Sequence, residues 1–266
     1  MNSPADASPP VETTRDAFYG GAFQLLQPSG EGFRAGLDAL VLAASLPPVR
    51  SGAAADLGAG AGAAGFAAAV RCPGLRVVLV ENQPVMAALA RRSVALAGNA
   101  AIASRLGIAE IDLFGRRETR EAAGLGDGGF GTVLTNPPFH PAGGRASPDA
   151  LRDTARGMPG PGFLAECIRV AAALLAQGGL FAMVARPVNL AEILAAVPNR
   201  LGDLRILPVH PRADRPATRI LVHARKGSRA PLSLLPPLVL HEADGALTPL
   251  GAAIGQGEAH VDLGLS

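Results

Sequence analysis

Short apolar runs alternate with helix-like segments through the middle of the chain, and this alternation constrains the fold more than any other feature. Strands are predicted at 53–57, 75–80, 108–113, 131–135 and 180–185, and helices at 65–70, 85–97 and 161–176. Strands that alternate with helices and short glycine turns are typical of a parallel, doubly wound α/β sheet. In such a sheet, ligands bind at the carboxyl ends of the strands.

The pattern changes after residue 200. Two strand-like runs, 204–209 and 218–224, are joined by a polar loop with two prolines, and they predict an antiparallel pair at one edge of the sheet. The first 14 residues are rich in Pro, Ser, Ala and Asp and predict a disordered tail. We therefore expect a tail over 1–14, one main domain over 15–230, and a C-terminal extension over 231–266 packed on that domain.

Composition excludes several classes of protein. Apolar residues make up 48% of the 266 residues and charged residues 17%, which excludes a wholly disordered chain. Two isolated cysteines predict neither a disulfide framework nor a metal site. No apolar run reaches the ~20 residues that span a bilayer, and the N-terminus has no secretory signal. We expect a cytoplasmic protein that does not bind membranes.

Basic residues are concentrated in one segment. Eight basic residues and two acids lie between Arg200 and Arg229, which gives the segment a charge of +6; since the whole chain is +2, the other residues sum to −4. A basic stretch on a near-neutral protein favours contact with a polyanion. Arginines on the solvent face of a strand pair would produce the same pattern. Both interpretations stay open.

A glycine-rich turn follows the first predicted strand. Glycines let the backbone turn tightly and let a ligand lie against it. Gly60, Gly62 and Gly65 satisfy the G-x-G-x-x-G pattern of dinucleotide-binding proteins. The same turn also fits the pattern D-x-G-x-G-x-G, which begins at Asp56, continues with Gly58 and ends at Gly62. This pattern resembles motif I of class I S-adenosylmethionine-dependent methyltransferases.

Two acids end the next predicted strands. Glu81 can accept hydrogen bonds from both ribose hydroxyls of either cofactor, and an exposed helix-capping acid beside Asn82 is the alternative interpretation. Asp112 is placed to accept from an adenine amino group, as an acid near there does in many methyltransferases, and a plain turn aspartate is its alternative. The glycine turn and these acids predict a nucleotide-like cofactor.

The fourth predicted strand ends in N-P-P-F-H, residues 136–140. Two consecutive prolines fix two φ angles, so the Asn136 side-chain oxygen and the Pro137 carbonyl are acceptors at a fixed spacing. Acceptors out of the plane of an exocyclic NH2 group favour a pyramidal nitrogen, whose lone pair can attack a methyl sulfonium. Phe139 offers a face for stacking. A rigid turn with a buried Phe is the alternative, but a dehydrogenase needs no such turn, so the sequence favours methyl transfer over hydride transfer.

These motifs together resemble those of amino-methyltransferases that act on adenine N6, guanine N2 or a glutamine amide. Residues 27–44 (QPSGEGFRAGLDALVLAA) are similar to the Q…G-[FY]-R…D…L-L-A block of the tRNA (adenine-N6)-methyltransferases, which modify the adenosine 3′ of the anticodon in valine tRNA. Residues 211–227 and 237–249 are similar to bacterial members of that family. The resemblance implies a Rossmann-like class I methyltransferase fold, S-adenosylmethionine as cofactor, tRNA as partner, and a cofactor-covering segment over 15–50.

The resemblance also implies the roles of single residues. Asp38 lies near the methionine end of the cofactor in that family. His140 departs from the family's N-P-P-Y and is common in rRNA (guanine-N2)-methyltransferases, so the target base stays open; an exposed loop histidine is the other interpretation. The candidates are, for catalysis, Asn136, Pro137, Pro138 and Phe139; for cofactor binding, Asp38, Asp56, Gly58, Gly60, Gly62, Glu81, Asp112 and Asn136; and for substrate binding, Phe33, Arg34, His140, Arg145, Arg212, Arg215 and Arg219.

A long Gly/Pro/Arg loop, 141–160, follows the N-P-P-F turn. Loops of this length are functional or disordered in compact domains, and with Arg145 this one can close on a nucleotide taken out of its stack. Guanine-N2 methylation of rRNA and glutamine-N5 methylation of a protein are alternative reactions. A nicotinamide-dependent oxidoreductase and a non-catalytic RNA-binding protein are alternatives from other classes.

Overall fold

The computed structural model of the chain describes residues 12–29, 36–138, 140–141, 157–158, 160 and 162–264. Its strands are β1 (Thr13–Phe18), β2 (Phe23–Pro28), β3 (Ser51–Leu57), β4 (Gly74–Glu81), β5 (Leu106–Glu110), β6 (Phe130–Thr135), β7 (His140–Pro141), β8 (Gly157–Met158), β9 (Leu175–Ala185), β10 (Leu201–Arg212), β11 (Arg219–Lys226), β12 (Ser233–Leu234) and β13 (Leu238–His241). Its α-helices are α1 (Leu37–Ala44), α2 (Ala63–Arg71), α3 (Pro84–Val94), α4 (Ala100–Ala103), α5 (Arg117–Ala122), α6 (Phe163–Leu174), α7 (Leu190–Ala196) and α8 (Pro249–Gln256).

Nine of the described strands form one sheet in the order β12–β10–β11–β9–β6–β3–β4–β5, with β13 also paired to β10. The five strands β9, β6, β3, β4 and β5 are mutually parallel, whereas β11 is antiparallel to both β9 and β10. The predicted mostly parallel Rossmann-like sheet with an antiparallel pair is therefore confirmed. The pair is not the outermost element, however, because β12 and β13 add to the far side of β10.

The parallel strands are buried on both faces, as expected for continuous apolar runs. Ala54 and Leu79 pack in one buried cluster with residues of α1, α2 and α8. Their sequence neighbours Ala55 and Val80 point to the opposite face and pack with residues of α6 and α7. The helices thus cover both faces, and the carboxyl ends of the strands form one open edge.

A hairpin of β1 and β2 forms a second, two-stranded sheet that the sequence patterns did not predict. It begins at Thr13, so the structure assigns Thr13 and Thr14 to a strand rather than to the predicted tail over 1–14. Distant side chains anchor β2: the Asn99 side chain exchanges two hydrogen bonds with the backbone of Gln24 (2.7 and 2.8 Å), and the Leu26 N–H donates to Ser93 Oγ (2.9 Å).

The residues after 230 take part in the main core. Leu238, Ile254, Val261 and Leu263 are all buried in the same cluster as α1 and α2. The Val261 N–H donates to the Ala44 carbonyl (2.9 Å), and Arg205 Nη1 donates to the Leu263 carbonyl (2.9 Å). The C-terminal segment therefore adds strands to the main sheet and closes one of its faces.

Helix α1 is joined to β11 by a buried contact between Ser45 and His223. His223 Nε2 lies 2.8 Å from Ser45 Oγ, and the Ser45 hydroxyl donates to the Leu42 carbonyl (2.7 Å). Since that hydroxyl has one proton and donates it to Leu42, we expect the neutral His223 ring to carry its proton on Nε2 and to donate to Ser45. Burial agrees with this, because it lowers the pKa of His223 to about 3.

No helix in the described part of the chain has both the length and the apolar character needed to cross a bilayer.

Candidate active site at the carboxyl ends of the strands

The glycine turn between β3 and α2 needs its glycines for conformation and for space. Gly58, Gly60 and Gly62 all have positive φ angles (68°, 57° and 100°). A Cβ on Gly62 would lie 2.9 Å from both the Leu79 and Phe66 side chains. In front of Gly58, no heavy atom of the described residues lies within 4 Å of such a Cβ. The glycine turn thus packs tightly against Leu79 and Phe66 at Gly62 and leaves room for a ligand at Gly58.

Glu81, at the end of β4, is held beside this turn. Its Oε2 accepts a hydrogen bond from the Gly60 N–H (2.7 Å), and its Oε1 accepts one from the Gln83 N–H (2.8 Å). The residue is only 7% exposed, so the alternative of an exposed acid is wrong, although Glu81 does contact Gln83, the N-cap residue of α3. A carboxylate has further lone pairs on both oxygens, and Glu81 therefore offers fixed acceptors next to the glycine turn.

Asp56 lies inside the protein rather than at its surface. It is 1% exposed, and its Oδ2 accepts a hydrogen bond from the Gly65 N–H in the first turn of α2 (2.8 Å). Burial raises the pKa of Asp56 to about 7; the Gly65 hydrogen bond opposes this rise, and the nearby Glu81 adds to it. In this structure the Asp56 side chain joins β3 to the first turn of α2 through its hydrogen bond with Gly65.

Asp112 does not end a strand. Strand β5 ends at Glu110, and Asp112 lies in the following turn, where its Oδ1 accepts from the Phe114 N–H (2.9 Å) and its carbonyl from the Gly115 N–H (3.1 Å). The predicted strand over 108–113 is therefore too long at this end. The side chain is exposed and makes the local bond of a turn aspartate, the alternative that the sequence left open.

Asn136 directly follows β6, and its side-chain oxygen is a buried acceptor without a partner. Among the described residues, no group donates a hydrogen bond to Asn136 Oδ1. An unpaired buried polar atom costs about 1–3 kcal/mol, so such atoms are rare and call for a reason. Pro137 is buried and Pro138 half-buried. Phe139 and the side chain of His140, which lies in the short strand β7, are outside the described residues.

Asp38 and Arg219 form an ion pair. Asp38 is in the first turn of α1, and its Oδ2 accepts from Arg219 Nε at 2.8 Å. Arg212 and Arg215 both contact Asp214, at 3.3 and 3.6 Å. Three further candidates, Phe33, Arg34 and Arg145, lie outside the described residues, as does most of the loop over 141–160.

The basic segment from Arg200 to Arg229 is not one surface. Strand β11 begins beside the carboxyl end of β9, where Ile220 pairs with Ala185, and it ends at the opposite edge, where Lys226 pairs with Leu201. Arg212, Arg215 and Arg219 therefore lie at the carboxyl edge of the sheet. The remaining basic residues lie along the strands or at the far edge: Arg200, Arg205, Arg225, Lys226 and Arg229.

Two features of this edge were missed by the sequence analysis. Leu26 of β2 packs in a small buried cluster with Ala61 of the glycine turn and with Met86 and Leu89 of α3, so the hairpin lies against the turn. Arg186 directly follows β9 at the same edge as Asn136. The Arg-Pro pair after the fifth predicted strand was a signal that could have identified it.

Comparison with known proteins gives one family and a set of related structures. The family model "Methyltransferase small domain" matches residues 35–201, more than half of the chain. No protein among the curated sequences that were compared matches this chain.

Three solved structures illustrate the relationship. A predicted O-methyltransferase from Agrobacterium tumefaciens is 38% identical, with a TM-score of 0.73 over 85% of this chain and 98% of that one. A T. thermophilus 16S rRNA N2 G1207 methyltransferase in complex with AdoMet and guanosine is 23% identical, with a TM-score of 0.54 over 84% of this chain and 53% of that one. P. horikoshii TYW2 in complex with MeSAdo is 14% identical, with a TM-score of 0.53 over 81% and 72%. The last two show a shared fold.

Proposed function

Because the chain belongs to the methyltransferase small domain family, we propose that it methylates an exocyclic amino group of a nucleic-acid base, namely adenine N6 in tRNA. S-adenosylmethionine is the cofactor, and when bound it supplies a methyl group on a positively charged sulfur. The residues at the carboxyl edge fit such a cofactor. The open space in front of Gly58 accommodates a ligand, and Glu81 offers oriented acceptors for hydroxyl groups.

The unpaired Asn136 oxygen is the observation that carries the proposed reaction. A rigid acceptor with no protein donor is suited to a ligand that brings N–H groups, and an aromatic amine has two of them. Hydrogen bonds from that amine to Asn136 Oδ1 and to the adjacent Pro137 carbonyl orient the nitrogen and favour its pyramidal form. The two prolines restrict the backbone of this segment before the substrate binds, which reduces the reorganisation needed during the reaction.

The chemistry of an amide also distinguishes between a hydroxyl group and an amino group as the acceptor of the methyl group. A hydroxyl acceptor must give up its proton to a base during attack, and an amide oxygen is too weak a base to take it. An amino group needs no such base before attack, because it loses its proton after methylation. Asn136 therefore favours nitrogen over oxygen as the atom that is methylated.

Adenine N6 in tRNA is supported by the sequence of residues 27–44 and of the two C-terminal segments, 211–227 and 237–249, which are similar to the tRNA (adenine-N6)-methyltransferases. Guanine N2 in rRNA is the second candidate, because His140 follows the N-P-P-F motif here. Mass spectrometry of tRNA and rRNA nucleosides from a deletion strain separates the two. Loss of N6-methyladenosine from tRNA supports the proposal, and loss of N2-methylguanosine from rRNA supports the second candidate.

Asn136→Ala tests the reaction itself. We expect kcat to fall by about 10²- to 10³-fold, the usual effect of removing one oriented polar group from a transition state. The Kd for S-adenosylmethionine, measured by calorimetry, should stay within about twofold. Since Asn136 Oδ1 has no protein partner to lose, the variant should also unfold at the wild-type Tm or above it. Turnover at the wild-type rate would contradict the proposed role.

A further inference from the structure

At the carboxyl edge of the sheet, the described strand ends carry acids on one side of Asn136 and arginines on the other. The strand order places β3, β4 and β5 on one side of β6, and β9, β11 and β10 on the other. The first side carries two carboxylates, Glu81 ending β4 and Glu110 ending β5, and Arg91 of α3 contacts the latter at 2.6 Å. The second side carries arginines. A cofactor rich in hydroxyl groups suits the carboxylate side. The arginine side is therefore left for the substrate that accepts the methyl group.

Among the described residues, the strand order makes Arg186 the arginine nearest to Asn136 along this edge. It follows Ala185, the last residue of β9, and β9 pairs with β6 on one side and with β11 on the other. Its backbone N–H donates to Asn189 Oδ1 (3.3 Å), which fixes the start of the turn after β9. Arg186 thus lies between the proposed catalytic turn and the arginines of β10 and β11.

The next arginines along the edge keep an excess of positive charge. Arg212 and Arg215 share a single carboxylate, Asp214, so the three residues together carry one net positive charge. The Arg215 and Asp214 side chains are 60% and 67% exposed, and water screens contacts of this kind strongly. Arg219 differs from them, because its guanidinium is held by Asp38 of α1. It joins the edge to α1 rather than facing only solvent.

We propose that Arg186, Arg212 and Arg215, here called the arginine rim, bind the backbone phosphates of the nucleic acid on either side of the methylated base. This inference rests on the proposed function and names the surface that holds its substrate. Phosphate contacts position a nucleic acid without reading its sequence. The rim therefore sets where the strand lies across the edge, and the turn at Asn136 acts on the base that reaches it.

Salt dependence of RNA binding tests the rim. The probe is unfractionated tRNA from a deletion strain, labelled with fluorescein and followed by anisotropy from 50 to 300 mM KCl. For the triple variant Arg186→Gln, Arg212→Gln and Arg215→Gln we expect binding at least about tenfold weaker at 100 mM KCl, and a slope of log K against log salt that is smaller by about 2, at ~0.7 per lost phosphate contact.

A matched triple variant controls for net charge. Arg76, Arg92 and Arg229 are exposed and lie away from the carboxyl edge: Arg76 near the start of β4, Arg92 in the last turn of α3, and Arg229 beyond the end of β11. Changing these three to Gln removes the same charge and should leave both the affinity and the slope near wild-type values. Equal losses in the two triple variants would overturn the inference, since the effect would then follow total charge alone.

These measurements distinguish a failure of the inference about the arginine rim from a failure of the proposed function. S-adenosylmethionine binding does not involve the rim, so its Kd should be the same in both triple variants and in the wild type. If the wild type binds S-adenosylmethionine but no RNA at 50 mM KCl, the rim inference is overturned, and a protein glutamine becomes the substrate to test. If the rim variant alone loses RNA binding, the inference stands even where Asn136→Ala retains turnover.

Discussion

Asp56 and Glu81 are both buried carboxylates beside the glycine turn, yet they are held differently. Glu81 receives backbone N–H groups on both oxygens, whereas Asp56 receives one, from Gly65. For Asp56, burial dominates and the pKa rises to about 7. The folded protein therefore holds a proton on this residue across a pH range in which the unfolded chain has released it.

This difference predicts a pH-dependent stability for the ligand-free protein. Since the pKa of Asp56 is higher in the folded state, its contribution to stability is complete at low pH and is lost as the pH rises from about 4 through the folded pKa of about 7. Relative to Asp56→Asn, whose amide does not titrate, the wild type should lose roughly 2–3 kcal/mol of unfolding free energy between pH 5 and pH 8, with the loss levelling off above that. Urea unfolding of both proteins at four pH values measures this, and a constant difference from pH 5 to pH 8 would contradict it.

Single residues were predictable where their role is local. The D-x-G-x-G-x-G spacing located the glycine turn correctly, and Asn136 directly follows β6 as predicted. Glycine and proline restrict the backbone at their own positions, so such spacings carry local information. Asp112 was placed at a strand end because periodicity alone cannot tell a strand residue from one that bonds to its own turn. The pairing of Asp38 with Arg219 joins residues far apart in the sequence, and no local pattern encodes it.

At the scale of elements, the strands of the parallel sheet and the helices α2, α3 and α6 were predicted, whereas the β1–β2 hairpin was not. The strands of the sheet are buried on both faces and read as apolar runs, which is a strong local signal. The hairpin depends instead on Asn99 and Ser93, which lie some 70 residues further along the chain. Its turn also includes Tyr19 at φ 52°, a conformation that a tyrosine rarely adopts.

Asn99→Ala tests the anchoring of this hairpin. The side chain makes two hydrogen bonds to Gln24 and a third to the Ser93 carbonyl, so its loss should cost about 2–4 kcal/mol of unfolding free energy and lower Tm by roughly 5–15 °C. Because Leu26 of the hairpin packs on Ala61, S-adenosylmethionine should also bind more weakly. Thermal unfolding and calorimetry measure both effects. Asn136→Ala is the matched control, and an equal Tm for the two variants would contradict this anchoring role.

At the scale of the whole molecule, residues 231–264 are part of the main core. They bring four buried apolar side chains, Leu238, Ile254, Val261 and Leu263, into the cluster that holds α1 and α2. Burial of each such side chain contributes about 1.5–3 kcal/mol to the free energy of unfolding. The sum over the four side chains is comparable to the entire free energy of unfolding of an ordinary domain. A fold without this segment would leave α1 and part of one face of the sheet uncovered.

Deletion of residues 231–266 should therefore prevent folding rather than remove an accessory part. We expect the shortened chain to be largely insoluble and to lack a cooperative thermal transition by circular dichroism. The double variant Val261→Ala and Leu263→Ala removes part of the same core and should fold with an intermediate Tm. A deletion variant that unfolds cooperatively at the wild-type Tm would show that the segment is dispensable.

The contact between Val261 and Ala44 has a consequence for biosynthesis. A ribosome extends the chain from the N-terminus, so α1 leaves the exit tunnel long before its C-terminal partners have been translated. Until then, the apolar side of α1 faces solvent or a chaperone. Productive folding is thus delayed until residues 231–264 have been translated, and a translational pause before that point would prolong the period in which the nascent chain is prone to aggregate.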